Sequence, residues 1–324
     1  MATMHYAEAL NLALREEMRR DPTVFLFGED IGTYGGVFKV TRGLVEEFGP
    51  ERVRDTPISE QTLAAMAVTA AMTGTRPVLE IMFADFMPLT FDALINQASL
   101  YEYLWADQVR LPFVLRTQGG GGIGASAQHS KSLDAMVAHI PGLKVVAPAT
   151  PADAKGLLTA AIRDPHPVVV LEHKLLYNMR DEVPDGEHIV EIGRARIARP
   201  GTNVSIFATS RMVHESLAAA SMLDAEGIAA EVIDLRTLRP LDLDAIKTSI
   251  AKTNHAVVVN EGWRFCGYVA ELSATIMDHA FDDLDAPVER VAQLDMPIPY
   301  SEPLEMAVMP TAEKIAAAAR RCVA

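Results

Sequence analysis

The sequence predicts a two-domain α/β protein built on largely parallel sheets, and three observations carry that expectation. Short apolar runs alternate with helix-period patterns along the first half of the chain. A charged, turn-rich stretch over residues 178–199 then interrupts the rhythm, and a second alternation of the same kind follows it. Strand–helix alternation at such spacing favours parallel strands covered on both faces by helices. At 324 residues the chain suits two domains of ordinary size, which we divide into 1–190 and 191–324.

Taken in order, residues 1–20 mix apolar positions with Glu8, Arg15, Glu16 and Glu17, the pattern of an amphipathic helix rather than a signal peptide. Val24-Phe25-Leu26-Phe27-Gly28 reads as a buried strand closed by a turn. So do Pro77-Val78-Leu79-Glu80-Ile81, Phe113-Val114-Leu115-Arg116, Lys144-Val145-Val146-Ala147 and Val168-Val169-Val170-Leu171. Helices are expected over 61–72 and 151–162. The second has Thr150 as cap, Pro151 at its first position and Asp153 at capping-box spacing. Residues 178–199, with Asp181-Glu182-Val183-Pro184-Asp185-Gly186 inside them, read as a linker. Beyond it, strands are expected at 204–207, 230–235 and 256–260. Helices are expected over 212–223 and from Thr311 to the region of Arg321.

Composition narrows the function. Hydrophobic residues make up 49% and charged residues 22%, enough for a sizeable core. The formal net charge of −14 disfavours a nucleic-acid binder, which needs a basic face. No apolar run reaches membrane-spanning length. Cys266 and Cys322 form neither a disulfide framework nor a zinc pattern, and a reducing, cytoplasmic setting is expected.

Several residues carry possible chemistry. Gly119-Gly120-Gly121-Gly122-Ile123-Gly124 follows a strand, so it is either a tightly turned loop or a backbone cradle for phosphate. Glu60 opens a helix behind Ser59, its expected cap. Glutamate there is either dipole-stabilised or poised at a ligand. His129 lies past the glycine run at an expected sheet edge, where ligands bind in doubly wound folds, although a structural histidine also fits. Phe86 reads by default as a core aromatic. The remaining histidines show no metal-ligand spacing, and no nucleophile elbow occurs.

At these residues the sequence resembles the β subunits of the thiamine-diphosphate-dependent 2-oxo acid dehydrogenase family: pyruvate, branched-chain 2-oxo acid and acetoin dehydrogenases. The resemblance is carried by Phe27-Gly28-Glu29-Asp30, Gly35-Gly36-Val37-Phe38, Asp55-Thr56-Pro57-Ile58-Ser59-Glu60, Ala127-Gln128-His129-Ser130, Pro141-Gly142-Leu143-Lys144-Val145-Val146 and Leu235-Arg236-Thr237-Leu238-Arg239-Pro240. It implies an N-terminal pyrimidine-binding, transketolase-like domain and a C-terminal transketolase-like domain. It also implies an α2β2 heterotetramer with an α subunit, and a lipoyl acyltransferase core as partner.

The resemblance assigns roles residue by residue. Glu60 is implied to hydrogen-bond the cofactor's pyrimidine nitrogen, where exchange of a proton supports the imino tautomer. Phe86 is implied to pack on that ring, Glu29 to be among the cofactor-binding residues, and His129 to act near the reacting carbon. Backbone oxygens of Phe113, Ala161, Ile162, Asp164 and His166 match a potassium site in some members, with His166 in place of an asparagine of one branch. The family's diphosphate–magnesium motif begins Gly-Asp-Gly, and this chain contains no Gly-Asp dipeptide. Magnesium and diphosphate are therefore expected on the α subunit. The implied reaction is decarboxylation of a 2-oxo acid with reductive acylation of a lipoyl group. Acetoin cleavage and a non-catalytic docking subunit are the alternatives. Arg116-Thr117-Gln118-Gly119-Gly120 leans toward acetoin-type relatives and Phe83-Ala84-Asp85-Phe86 toward branched-chain ones.

Overall fold

Every strand expected in the first half of the sequence is present in the computed structural model, which describes residues Met1–Ala324. The chain forms two units. One comprises Met1–Gly119 and Met136–Ile192, the other Gly120–Ala135 and Gly193–Ala324.

The first unit contains β1 (Ala2–His5), β2 (Val24–Gly28), β3 (Val53–Asp55), β4 (Arg76–Ile81), β5 (Val114–Gly119), β6 (Lys144–Val146), β7 (Val168–His173) and β8 (Arg180–Val183). Within it, β6, β7, β5, β4, β2 and β3 lie side by side in that order, all parallel. Strands β4, β5 and β7 are buried nearly throughout, as expected of a sheet covered on both faces. Helix Tyr6–Arg20 buries Tyr6, Leu10, Leu14 and Met18 on one stripe, and they join Leu157, Leu158 and Ile162 of helix Pro151–Arg163 in one core cluster. The Thr150 hydroxyl accepts from the Asp153 N–H at 3.1 Å, as its capping-box spacing predicts.

Three expectations need correction. The first residues are not helical. Ala2–His5 pairs antiparallel with Arg180–Val183, and the helix starts at Tyr6 because the Glu8 carboxylate reaches back to accept the His5 N–H at 2.7 Å. The stretch read as a linker begins and ends in strands, β8 and β9 (Arg196–Arg199). Ser59 does precede helix Glu60–Met72, but its hydroxyl donates to the Pro57 carbonyl at 3.3 Å instead of capping the helix.

The second unit continues with β10 (Val204–Ala208), β11 (Ala230–Asp234), the short β12 (Thr237–Arg239), β13 (Ala256–Trp263) and β14 (Glu289–Gln293). Its sheet runs β14-β13-β10-β11-β9, parallel except for the antiparallel edge strand β9. The final helix, Ala312–Val323, buries Ile315, Ala316, Ala318, Ala319 and Cys322, so its apolar face belongs to the core of this unit.

A row of charge runs through the first sheet. Arg116 on β5 is 1% exposed and donates to both oxygens of Glu172 on β7, at 2.7 and 2.9 Å, and to Glu80 on β4 at 2.8 Å. The Gln118 amide donates to the other Glu80 oxygen at 2.8 Å, and the Tyr177 hydroxyl to Glu172 at 2.6 Å. Register explains the meeting: Glu80 pairs with Arg116, and Gln118 pairs with Glu172. Burial alone would lower the Arg116 pKa, but Glu172 and Glu80 hold it above the ordinary arginine value. Removing one member of such a buried set leaves uncompensated charge, at a cost of about 3–5 kcal/mol. Arg116→Met should therefore lose stability on that scale in urea unfolding. Replacing Glu80 and Glu172 by Gln in the same background should recover part of it. A loss under about 1 kcal/mol for Arg116→Met would show that the charges are reached by solvent.

Candidate functional site

Parallel strands bring their carboxyl ends to one edge of a sheet, and ligands in this architecture bind there. In the first unit that edge carries buried polar atoms without a hydrogen-bond partner: Glu29 Oε1 just past β2, Thr56 Oγ1 just past β3, and Thr117 Oγ1 and Gln118 Oε1 near the end of β5. Buried polar groups are nearly always satisfied in folded proteins, so a cluster of orphans marks a place prepared for another molecule.

Glu29 is placed by Gly28. A Cβ at that glycine would lie 2.6 Å from the Glu80 carbonyl oxygen, closer than any side chain tolerates. The strand can thus pack tightly on β4 only with glycine there, and Glu29 follows at the sheet edge. It is 7% exposed. Burial raises its pKa, and the nearby Glu60, Asp30 and Glu80 carboxylates raise it further. Glu60 is equally buried and opens helix Glu60–Met72. Two buried carboxyls close enough to influence each other thus stand at one sheet edge, one of them disposed to hold a proton.

Phe86 sits in the short helix Ala84–Thr90, its N–H donating to the Phe83 carbonyl at 2.8 Å. It is only half-buried, so it is not a core aromatic and keeps part of its surface accessible. Neighbouring Phe83 packs edge-on against Phe38 at 5.9 Å, and Phe38 stacks on Tyr177 at 4.5 Å. The Gly35-Gly36 turn before Phe38 is thereby tied to the Arg116 network through Tyr177.

His129 belongs to the second unit, on the loop that starts at Gly120. It is half-buried, and its N–H donates to the Ser126 carbonyl at 3.4 Å. The glycine run resolves as a turned loop whose amides are already used. Gly121 N–H donates to Glu261 at 2.7 Å, and Gly122 and Gly124 N–H donate to Glu305 at 2.7 and 3.1 Å. Carboxylates of the chain itself thus take up amides that a phosphate would need.

The carbonyls matched to a potassium site have other work in part. Ile162 and Asp164 carbonyls accept from the Arg76 guanidinium at 2.8 and 3.1 Å, Phe113 from Val168 N–H at 3.0 Å, and Ala161 from Asp164 N–H at 3.3 Å. The His166 N–H donates to the Asp164 carboxylate, and its ring bonds Glu102 at 2.6 Å. Ala161, Ile162 and Asp164 lie at the end of helix Pro151–Arg163, with a guanidinium on the Ile162 and Asp164 oxygens.

Sequence reasoning missed Glu80, Arg116, Glu172, Glu261 and Glu305 as site-building residues. For the first three a signal existed: Leu79-Glu80-Ile81, Leu115-Arg116-Thr117 and Leu171-Glu172-His173 each set a charge inside a buried strand. Charges of opposite sign in adjacent buried strands call for pairing. Nothing in the sequence around Glu305 announces its partners.

Comparison with known proteins bears on this arrangement. Residues 2–180 match the model of the transketolase pyrimidine-binding domain, and residues 193–315 that of the transketolase C-terminal domain. The chain is 46% identical to the mitochondrial pyruvate dehydrogenase E1 component subunit beta of Caenorhabditis elegans, over 99% of this chain and 92% of the relative. It is 43% identical to the 2-oxoisovalerate dehydrogenase subunit beta of Bacillus subtilis, over 99% and 98%. It is 44% identical to the acetoin:2,6-dichlorophenolindophenol oxidoreductase subunit beta of the same bacterium, over 95% and 94%. Among solved structures, a split-gene transketolase described as an inactive beta4 tetramer shares the fold. Its TM-score is 0.81 at 24% identity, covering 99% of this chain and 98% of that one.

The state of Glu29 has a thermodynamic signature. Its folded pKa lies above the ordinary value of 4.5, so the folded chain holds this proton more tightly than the unfolded chain. That contribution to stability is complete below the unfolded pKa and is lost as pH rises through the folded value. Glu29→Gln cannot ionise. Relative to wild type it should therefore gain stability as pH is raised above about 4.5, and show no such gain in more acid solution. Urea unfolding of both proteins across this range measures the difference. A difference that did not change with pH would mean that Glu29 ionises as freely folded as unfolded.

Proposed function

The chain belongs to the transketolase-like family of dehydrogenase β subunits, and from that premise we propose that it serves the decarboxylating first component of a 2-oxo acid dehydrogenase complex. In this reading it pairs with an α subunit as α2β2, decarboxylates a 2-oxo acid with thiamine diphosphate, and reductively acylates a lipoyl group on an acyltransferase core. The single observation that carries the reading is the pair of buried carboxyls, Glu29 and Glu60, at a sheet edge lined with unpartnered polar atoms. A pyrimidine bearing ring nitrogens and an amino group suits those donors and acceptors.

Bound there, thiamine diphosphate supplies an acidic ring carbon that adds to a 2-oxo group and accepts the electrons freed when carbon dioxide leaves. The chain's own residues would do the rest. Glu60 holds a proton at the far pyrimidine nitrogen and exchanges it, a task its burial suits because a desolvated carboxyl bonds a ring nitrogen strongly. Aspartate would stop one methylene short. Glu29, whose pKa burial and the neighbouring carboxylates raise, would offer the ring a second carboxyl beside Glu60. Phe86 offers the accessible part of its ring as an apolar face. His129 donates a proton at the substrate carbonyl oxygen or the incoming lipoyl sulfur. Magnesium and the diphosphate fall to the α subunit in this proposal, since the chain has no Gly-Asp-Gly sequence. A potassium ion on the carbonyls of Phe113, Ala161, Ile162, Asp164 and His166 remains a proposal, and it would share the Ile162 and Asp164 oxygens with Arg76.

In the stretch that leans toward acetoin-type relatives, Arg116 and the Gln118 amide nitrogen are bound to Glu172 and Glu80, whereas Thr117 Oγ1 and Gln118 Oε1 stand unpartnered at the prepared sheet edge. A non-catalytic docking role leaves the prepared sheet edge unexplained. Both cysteines are free thiols, which suits a reducing compartment such as the cytoplasm. The relative from the nematode is named as mitochondrial. No helix is long and apolar enough to cross a membrane.

Glu60→Gln tests the reading. Glutamine is nearly the same size, and the lost dipole interaction is worth about 0.3–1 kcal/mol, so fold and assembly should survive. The amide still bonds the ring nitrogen but cannot exchange its proton. The α–β complex should stay loaded with cofactor yet lose nearly all turnover, and hydrogen–deuterium exchange at the reactive ring carbon, followed by NMR, should slow markedly. Exchange at the wild-type rate would reduce Glu60 to a helix-end residue. Assays of the wild-type complex on pyruvate, 2-oxoisovalerate and acetoin then sort the substrates. The chain alone should bind neither magnesium nor thiamine diphosphate tightly, and micromolar binding by calorimetry would move the diphosphate site onto this subunit.

A further inference from the structure

Residues 120–131 form a loop closed at its neck, where the Gly120 N–H donates to the Lys131 carbonyl at 3.2 Å. Two buried glutamates of the same unit hold it from beneath. Glu305, 0% exposed on helix Glu302–Val308, accepts from Gly122 and Gly124 with one oxygen each. Glu261 on β13, 4% exposed, accepts from Gly121 and from the Ser132 hydroxyl, the latter at 3.4 Å. The adjacent Asn260 donates to Asp134 at 2.6 Å, anchoring the chain where it leaves the loop.

The fit depends on glycine. A Cβ at Gly121 would lie 3.1 Å from Glu305 Oε1 and 3.0 Å from Met309 Cε, and Gly124 has φ +66°, which other residues rarely adopt. A buried carboxylate, for its part, needs charge-assisted hydrogen bonds to remain in an apolar interior. Loop and carboxylate therefore hold each other, and loss of Glu305 would release two amides at once.

His129 lies inside this closed loop. We propose that Glu305, seconded by Glu261, is a positioning residue: it fixes residues 120–131 in the one conformation that presents the His129 imidazole for proton transfer. The inference rests on the role proposed above for His129. A misplacement of about 1 Å in a group that must meet a reacting atom costs up to about 100-fold in rate, so a loop clamp of this kind reads out in turnover.

The test uses the assembled α–β holoenzyme carrying Glu305→Ala, Glu305→Gln, Glu261→Gln, His129→Ala, and the double variant His129→Ala with Glu305→Ala. Four quantities are measured: kcat for reductive acylation, thiamine diphosphate affinity, amide exchange over residues 120–131, and melting temperature. Glu305→Ala should lower kcat by about 10- to 100-fold, leave cofactor affinity within about 2-fold, and speed exchange in the loop. Glu305→Gln keeps one accepting oxygen, so it should fall between wild type and alanine. It also serves as the working variant if the alanine form does not assemble. Added to His129→Ala, the Glu305 change should lower kcat by less than about 2-fold, because the group it positions is already gone. Wild-type kcat in both Glu305 variants would overturn the proposal and leave the role of His129 standing. So would an equal loss from Glu305→Ala with and without His129, since a purely structural glutamate behaves that way. Wild-type turnover by His129→Ala would overturn the reading of His129, and this proposal with it.

Discussion

A guanidinium sealed inside a parallel sheet constrains the first unit more than any other group. Arg116 cannot shed its proton and cannot reach water, so Glu80 and Glu172 must lie in register on the flanking strands to meet it. Register in a sheet buried on both faces is otherwise set only by apolar packing, which tolerates exchange of one aliphatic for another. A charged triad does not, because a slip of one residue would turn Arg116 to the other face and strand all three charges. Fixing β4 against β5 also fixes β2, whose Gly28 lies against the Glu80 backbone, and through it the position of Glu29. The triad is therefore tied to the site above it without touching a ligand.

The same logic explains why acid gathers at the sheet edge. Glu80 is held in place by Arg116 and Gln118 and adds its negative charge to that of Glu60 and Asp30 around Glu29. Glu60 opens a helix, whereas Glu29 follows a strand and has burial and neighbouring negative charge to raise its pKa. Two chemically similar carboxyls thus stand at one edge in unlike environments.

Much of the fold was legible because its signals are local. Apolar runs gave β2, β4, β5, β6, β7, β10, β11 and β13 to within a few residues, and Thr150-Pro151 gave a helix start through cap chemistry alone. Two of the misses share a cause: they depend on partners far away in sequence. Ala2–His5 is a strand only because Arg180–Val183 lies beside it, and β8 and β9 were hidden by charges that suit exposed edge strands as well as linkers. Ser59 lost its expected cap because its hydroxyl found the Pro57 carbonyl. Glu60, Phe86 and His129 could each be named from motifs, but each carried an equally good structural reading until its burial and partners were known. Glu305 was invisible because its partners are backbone amides, which every residue but proline possesses.

The glycine loop shows why a motif needs its structural context before it earns a function. A run of glycine amides after a strand is what a phosphate cradle needs, and the sequence alone leaves that reading open. In the folded chain the same amides bind Glu261 and Glu305, so an anion entering the loop would have to displace a buried carboxylate and leave it unpaired. The loop therefore serves as a mount for His129 and not as a cradle. The anionic end of the proposed cofactor then has no claim on this run of glycines. In a chain of net charge −14 without a Gly-Asp-Gly sequence, the economical place for that end is the partner subunit. Carboxyls at the sheet edge suited to a heterocycle, and amides in the loop already committed, support the division of labour proposed here: one subunit tunes the ring and the other holds the charge.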